Sequence, residues 1–537
     1  MAYLIVIYVI CAAYMILNFK HDVHMLQQNS YRLPRYWRYL SKNDIGSAWR
    51  LTDVAMIFIV CSRLLEERLA LFMVAIMALY KFVAILKKKH KKALVFTKRV
   101  WRIYSLTAAI GAALFLWAVF VLGFKPEAWS FYPGPILTVS ILLLMTIFSW
   151  FITCVAVVIL MPVEKIINRK YWNEASKILK GMPDLKVIGI TGSYGKTSTK
   201  HFLERILSEK YDVLMTPGSF NTTMGVIRTV REYLKPYNNV FICEMGAKQK
   251  GDIKEICDLV HPQIGIVTAV GPMHLETFKT IENVQSTKFE LIDSLPDDGL
   301  AVINDDFEYC SKRNIKNVPD IRYIVEKPED PDSSGKNLFI ARNIRYTTSG
   351  TTFEIYGDKG FEIELTTRLV GECNVSNLVA AVIVAYKMGL TDNEIKRGVS
   401  SITPVEHRLS MTQTPGGVTI LDDAFNSNPH GSKMALDVLS QFKEGRRIVI
   451  TPGMVELGSR QHELNSKLGE HMAECCDIAI VVGHYNRQSI TEGLRKAEFN
   501  GELYEVDTFD KAQEIIRPMM RKGDVILYEN DLPDSFK

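Results

Sequence analysis

The sequence predicts a helical membrane region followed by α/β domains, and three observations carry that reading. Residues 1–170 hold 21 Lys+Arg against 7 Asp+Glu, a net +14, whereas the remainder holds 43 against 52, a net −9. The basic front part is built from long uncharged apolar runs. After Tyr171 short β-branched runs (187–190, 240–243, 264–270, 448–450) alternate with helix-length polar stretches, the pattern of parallel strands linked by crossover helices. At 537 residues the chain has room for three to four domains of about 150 residues each. Because the basic charge sits among apolar runs and the soluble part is acidic, nucleic-acid binding is not suggested. The nine cysteines include no Cys-x-x-Cys pair and no His/Cys cluster at zinc spacing. That pattern indicates neither a disulfide framework nor a structural metal, and it fits a reducing compartment.

Residues 2–19 form an uncharged run close to the roughly 20 residues that cross a bilayer at about 1.5 Å per residue. No basic residues precede it and no small-x-small site follows, which argues against a cleaved signal. Residues 69–86, 104–124 and 136–161 bring the expected number of spans to four, within a membrane region 1–165. Lys81 lies inside the second, where a central Lys costs about 2.5–3.5 kcal/mol. Residues 54–62 pairing with that span as a re-entrant hairpin is the alternative. Lys87, Lys88, Lys89, Lys91, Lys92, Lys98, Arg99 and Arg102 form a dense basic loop that the positive-inside rule places in the cytoplasm. Two spans later Lys165, Arg169 and Lys170 return to that side, so the rest of a multi-pass cell-membrane protein is expected to face the cytoplasm. Residues 20–50, with six Lys+Arg, would be external in a four-span arrangement, a conflict that the sequence leaves open.

The first apolar run of the soluble part leads into Thr191-Gly192-Ser193-Tyr194-Gly195-Lys196-Thr197-Ser198, a strand, a glycine-bearing turn and a helix start. Backbone N–H groups at such a helix N-terminus hold phosphate oxygens, Lys196 can reach the outer phosphates, and the Thr197 hydroxyl can coordinate Mg²⁺. The loop is a shortened one, since Ile190 stands where the strict pattern has glycine. Glu244 closes the run 240–243 and His274 follows the run 264–270. Both fall at carboxyl ends of strands, where open α/β sheets collect their ligands. Glu244 there can hold Mg²⁺, with a helix-capping acid as its plainer reading, just as His274 is otherwise an ordinary loop histidine.

Taken in order, these segments resemble the ATP-dependent Mur ligase family. Residues 191–199 resemble its phosphate loop, and Glu244-Met-Gly-Ala resembles the segment typical of its dipeptide-adding branch. Asn221 and Gly225 fall in a matching loop, and Asn304-Asp305-Asp306 resembles the adenine-side Asn-x-Asp-Asp. Gly371-Glu-Cys-Asn374-Val-Ser-Asn377 resembles the Gly-x-His-Asn-x-x-Asn helix start, His407-Arg408 the hinge arginine, and Asp422-Asp423-Ala-Phe-Asn426-Ser-Asn428-Pro429 the Asp-Asp-x-Tyr-Asn-x-Asn-Pro segment. Gly453-Met454-Val-Glu456-Leu457-Gly458 resembles a C-terminal-domain loop. The resemblance spans about residues 183–530.

It implies a central P-loop ATPase domain over 175–408 and a Rossmann-like domain over 409–537. The resemblance implies ATP held by Gly192, Ser193, Gly195, Lys196, Thr197, Ser198, Asn304, Asn374, Asn377, Arg408 and Asp423, with two Mg²⁺ ions on Thr197, Glu244, His274 and Lys288. It also implies catalytic roles for Lys196, His274, Lys288 and Arg408. Lys288 lies 14 residues after His274, as the family's carbamoylated lysine does, with an exposed helix lysine as the plain alternative. The implied reaction is formation of an acyl phosphate from a carboxylate acceptor, then its capture by an amino-acid or dipeptide amine, on a cell-envelope precursor. A lipid-linked or poly-γ-glutamyl acceptor, and a nucleotide-binding scaffold without turnover, are the alternatives. Cys373 replaces a usual His, Phe425 a usual Tyr, and residues 523–531 lack the usual Lys-Gly-Ser. Membrane spans, with lipids as expected partners, stand where the family has its UDP-sugar-binding domain.

Overall fold

The computed structural model describes residues 2–62, 65–88, 93–123, 134–273, 275–325, 338–347, 350–404, 409–424 and 427–531. The chain divides into two compact units, one ending at Ile167 and the other beginning at Asn168.

The first unit is helical: α1 (Ala2–Gln28), α2 (Leu33–Tyr39), α3 (Ala48–Cys61), α4 (Glu67–Lys87), α5 (Lys98–Gly123), α6 (Gly134–Ile147) and the start of α7 (Ser149–Lys180). Within these, Tyr3–Gln28, Glu67–Lys87, Lys98–Ala118 and Ser149–Lys180 are long and apolar enough to cross a membrane. The expected single span over 136–161 is corrected, because it is two helices that break at Phe148. The carbonyl of Thr146 accepts from Arg50 Nη1 at 3.0 Å, which draws it out of the helical ladder just before the break. Residues 54–62 form most of α3, whose N-terminus is capped by Ser47 accepting from the Arg50 N–H.

Contacts fix the helix directions. Asp53 of α3 meets Tyr14 of α1, and Arg50 meets Asp22, so α3 runs against α1. Arg50 and Cys61 of α3 meet Thr146 and Ser140 of α6, so α3 also runs against α6. Lys81 of α4 meets Asp53 and Trp49, closing an antiparallel α3–α4 pair. Gln27 of α1 exchanges two hydrogen bonds with Val95, just before α5, and Tyr104 of α5 donates to the Ile16 carbonyl, so α5 opposes α1. Thus α1, α4 and α6 run one way, and α3 and α5 the other.

The Lys81 that made the second span doubtful is buried and paired. Its Nζ lies 2.5 Å from Asp53 Oδ1 and 2.6 Å from the Trp49 carbonyl, with the Trp49 ring centroid at 4.8 Å. Burial of one partner alone leaves an uncompensated charge among apolar helices. Lys81→Met is therefore expected to destabilise the unit by about 3 kcal/mol or more, and adding Asp53→Asn should recover much of the loss. Thermal melts of the single and double variants in detergent check this; strictly additive losses would show that the pair is not coupled.

The second unit holds two sheets. The first has nine strands in the order β2-β3-β1-β4-β5-β6-β7-β8-β9. They are β1 (Lys186–Thr191), β2 (Val213–Met215), β3 (Val240–Glu244), β4 (Ile264–Val267), β5 (Leu300–Asn304), β6 (Asp320–Val325), β7 (Leu338–Thr347), β8 (Gly350–Tyr356) and β9 (Glu362–Thr367). Pairing is parallel from β2 through β7, but β7, β8 and β9 form an antiparallel meander, which corrects the all-parallel expectation. In β9, Glu-Ile-Glu-Leu-Thr-Thr buries every second side chain, the alternation of a strand with one wet face. Strand β4 stops at Val267 rather than reaching 270, because Thr268 and Ala269 bond back to Thr191 and Ser193 of the phosphate loop.

The central strands are covered on both faces. Ile188 and Ile190 pack with Phe202, Leu203 and Val379, while Val187 and Phe241 pack with Ile256, Phe289 and Ile292. At Gly189 a Cβ would meet Leu291 Cδ1 at 2.5 Å, so only glycine lets the helix Ile281–Asp293 lie this close to β1. The second sheet follows the order β10-β11-β15-β12-β13-β14, with β10 (Ser410–Gln413), β11 (Thr419–Asp423), β12 (Arg447–Thr451), β13 (Ile478–Val482), β14 (Glu502–Val506) and β15 (Val525–Glu529). Only the β10–β11 pair is antiparallel.

Candidate active site

Strand β1 delivers the chain into the phosphate loop, and the helix Lys196–Leu207 leaves it. Gly195 has φ +78°, and a Cβ there would lie 2.3 Å from Asn377 Oδ1, so the turn requires glycine. Ser193 Oγ is tied to Gly271 by hydrogen bonds in both directions at 3.1 Å. Lys196 Nζ donates to the Gly192 carbonyl at 2.7 Å and the Ser193 carbonyl at 3.4 Å, curling over the loop. Thr197 and Ser198 lie in the first turn of the helix, with Ser198 buried.

Strands β1 and β3 are neighbours with Ile190 beside Glu244, so the phosphate loop and Glu244 emerge at the same sheet end. The Thr197 hydroxyl donates to Glu244 Oε1 at 3.2 Å, Asn221 Nδ2 donates to the same oxygen at 3.0 Å, and Lys200 Nζ lies 3.0 Å from Oε2. Burial by itself raises the Glu244 carboxyl, but the Lys200 and Lys196 charges and the hydrogen bonds from Asn221 and Lys200 outweigh it and hold it below its ordinary range. An ionised carboxylate beside a hydroxyl is a hard oxygen donor set, which fits Mg²⁺.

Lys288, on the helix Ile281–Asp293, is buried behind this group. Burial and the nearby Lys196 charge lower its ammonium from 10.5 to about 7, with Asp252, Glu290 and Glu244 opposing. Lys196, Thr197, Glu244 and Lys288 are therefore one electrostatic cluster. The asparagines are built into its frame. Asn304 Nδ2 donates to the Thr268 carbonyl at 2.9 Å and Ser376 Oγ at 3.0 Å, Asn377 Oδ1 accepts from Thr199 at 3.1 Å, and Asn374 Nδ2 donates to the Val370 carbonyl at 2.8 Å. Asp423, at the end of β11, accepts from the Leu409 N–H at 3.1 Å and lies beside Glu529 of β15. His274, Arg408, Phe425 and Asn426 lie outside the described residues.

Two features escaped the sequence reading. Lys200 is fully buried against Glu244, and its signal was its place one helical turn after Lys196 on the same face. Tyr194 of the phosphate loop stacks on His430 at 6.1 Å, and Phe307 meets the same ring at 5.0 Å, which joins the two sheets through residues distant in sequence. Lys200→Met is expected to destabilise the second unit by about 3 kcal/mol, because Glu244 keeps its burial and loses its closest cation. Urea unfolding would measure it; an unchanged midpoint would mean that Lys196 alone suffices to hold Glu244.

Against this geometry, residues 190–385 match the Mur ligase middle domain and residues 407–528 match the Mur ligase glutamate ligase domain. The UDP-N-acetylmuramoyl-tripeptide--D-alanyl-D-alanine ligase of Haemophilus influenzae is 29% identical over 341 residues, covering 62% of this chain and 71% of that protein. Its Escherichia coli counterpart is 30% identical over 304 residues, covering 56% of this chain and 65% of the relative. The crystal structure of MurF from Acinetobacter baumannii superposes with a TM-score of 0.60 at 23% identity, covering 68% and 77% of the two chains. The MurF ligase of Thermotoga maritima in complex with ADP gives 0.58 at 25% identity, covering 68% and 80%. A glycine-bearing loop on the parallel part of a sheet, a buried ionised carboxylate and these relatives define the class: an ATP-dependent ligase that forms a C–N bond. Through its middle and C-terminal domains, the chain belongs to the Mur ligase family.

Proposed function

We propose that this enzyme is a membrane-anchored Mur-type ligase that joins an amino-acid or dipeptide amine to a carboxylate acceptor of the cell envelope by way of an acyl phosphate. The observation that carries the reading is the cluster of Lys196, Thr197, Lys200 and Lys288 around the ionised Glu244. The acceptor carboxylate would attack the γ-phosphate of ATP and release ADP; the amine would then displace phosphate from the acyl carbon and lose a proton, leaving the amide. Lys196 offsets negative charge on the transferring phosphoryl group. Thr197 and Glu244 would hold Mg²⁺, which supplies further charge neutralisation when bound. Lys288, buried and readily neutral, has the chemistry for adding CO₂ and becoming a carbamate, and its surroundings support that role in metal binding. His274 and Arg408 complete the set by resemblance, and Asn304, Asn374, Asn377 and Asp423 would frame the nucleotide.

The first unit supports a membrane location. Its helix directions support a reading in which residues 20–50 are not external, since Gln27 bonds Val95 and Arg99 lies over the Tyr31 ring at 4.2 Å. The basic stretches 20–50, 87–88 and 93–102 would therefore share one side, cytoplasmic by the positive-inside rule. Both α1 and α4 run toward that side, so α3 between them crosses back, giving five crossings with the N-terminus outside instead of four. Though it has 14 residues, α3 turns Leu51, Val54 and Phe58 outward, as a lipid-facing segment does. Run α6 then returns to the basic side, where Glu164 of α7 pairs with Arg102 at 2.6 Å. The catalytic unit follows in the cytoplasm.

An enzyme held at the membrane meets acceptors that share the surface at raised effective concentration, which favours a lipid-linked acceptor over a UDP-linked one. A chain truncated to begin at Asn168 keeps the Trp172 and Ala175 packing and should bind ATP. It is expected to ligate a lipid-linked acceptor at least tenfold more slowly than the full chain in membranes. Both are assayed with UDP-linked and lipid-linked peptides; equal rates for both chains on the UDP-linked acceptor would reduce the helical unit to an anchor.

A further inference from the structure

Two helices beside the second sheet, Pro429–Ser440 and Gln461–Cys475, bring Asp437, His471 and Cys475 together, with one donor atom of each within 4.8 Å of the others. His471 and Cys475 are one helical turn apart, and Asp437 faces them from the neighbouring helix. His471 Nε2 lies 2.7 Å from Asp437 Oδ1 and 3.7 Å from Cys475 Sγ, so it sits between an oxygen and a sulfur. Tetrahedral zinc, at about 2.3 Å from sulfur and about 2.0 Å from nitrogen, holds those two atoms about 3.6 Å apart. The observed His–Cys separation already meets that spacing, and the Asp–His contact needs to open by only about half an ångström. His471 Nδ1 lies 3.1 Å from Glu474 Oε2, the outer carboxylate that turns an imidazole toward a metal through its other nitrogen. Cys475 is buried while Asp437 and His471 are partly exposed, so the sulfur is sheltered and the entry is open.

We propose that Asp437, His471 and Cys475 form a zinc site with an open fourth position, separate from the magnesium site at Thr197 and Glu244. A thiolate and an imidazole select a borderline-soft metal, whereas the oxygen donors at Glu244 select a hard one. Zinc here pins the helix Pro429–Ser440, capped by Asn428, onto the helix Gln461–Cys475. The sequence hid the site because its ligands do not form a paired-cysteine motif.

The test uses the full chain in detergent, stripped of transition metals and saturated with Mg²⁺, titrated with Co²⁺ and then Zn²⁺ against a chromophoric chelator. A thiolate-to-cobalt charge-transfer band should appear and be displaced by one equivalent of zinc. Cys475→Ser should remove the band, and Asp437→Asn, a change at a half-exposed position that spares the fold, should weaken zinc binding tenfold or more. Should Cys475→Ser fail to fold, His471→Gln replaces it and should likewise remove zinc binding. Absence of the band in the wild type, its persistence in either ligand variant, or wild-type zinc affinity in Asp437→Asn overturns the site.

Discussion

Lys196→Ala is expected to abolish amide formation while leaving the protein folded. Its ammonium curls over the phosphate loop, 2.7 Å from the Gly192 carbonyl, and in the proposed reaction would offset charge that builds up on the transferring phosphoryl group. Removing a preorganised partner of that kind costs about 3–4 kcal/mol in the transition state, or about 10²–10³ in rate. The fold should survive, because the loop is shaped by Gly192 and Gly195 and by the Ser193–Gly271 tie, and Lys200 still compensates Glu244. The measurement is ligation rate beside the thermal midpoint. Activity within tenfold of wild type, in a protein that still melts cooperatively, would remove Lys196 from the reaction.

Lys288→Ala should lose nearly all activity, and formate or acetate should restore part of it by occupying the gap that the proposed carbamate would leave. The amine must be neutral to add CO₂, and burial with the Lys196 charge brings Lys288 to about 7, so the neutral form is available near neutral pH. Activity should therefore rise with pH through about 7, provided CO₂ is present. Stability has the same sign. Between about 7 and 10.5 the unfolded chain binds the proton that the folded chain has released, so stability rises with pH across this window. Lys288→Met, which has no titrating group, should flatten that rise. Full activity of Lys288→Ala without additive, or of the wild type in CO₂-free buffer, would leave Lys288 a buried structural lysine.

The phosphate loop, Glu244 and the alternation of strands and helices were legible because they are local. A β-branched run feeding Gly192, Gly195, Lys196 and Thr197 determines its own turn, since the φ of Gly195 is open to few other residues. Glu244 was legible because a strand end is set by the strand before it. Charge asymmetry and apolar runs likewise marked the helical front part before any contact was known.

What the tertiary structure decided is what depends on residues far apart in sequence. The sequence showed Lys81 as a cost; its pairing with Asp53, 28 positions away, makes it a constraint on how α3 and α4 pack. Helix direction came from the Gln27–Val95 and Arg50–Thr146 contacts, which no hydropathy count contains. The break at Phe148 arose the same way, from an arginine 96 positions from the carbonyl it takes. The sequence placed Lys200 one turn after Lys196, but only β3, by setting Glu244 against it, gave it a partner. By itself the sequence determined the class of chemistry, because a phosphate loop is written in consecutive residues. Only the tertiary structure decided which charges are buried and paired, because the energy of a charge depends on the dielectric and the partners that the fold places around it.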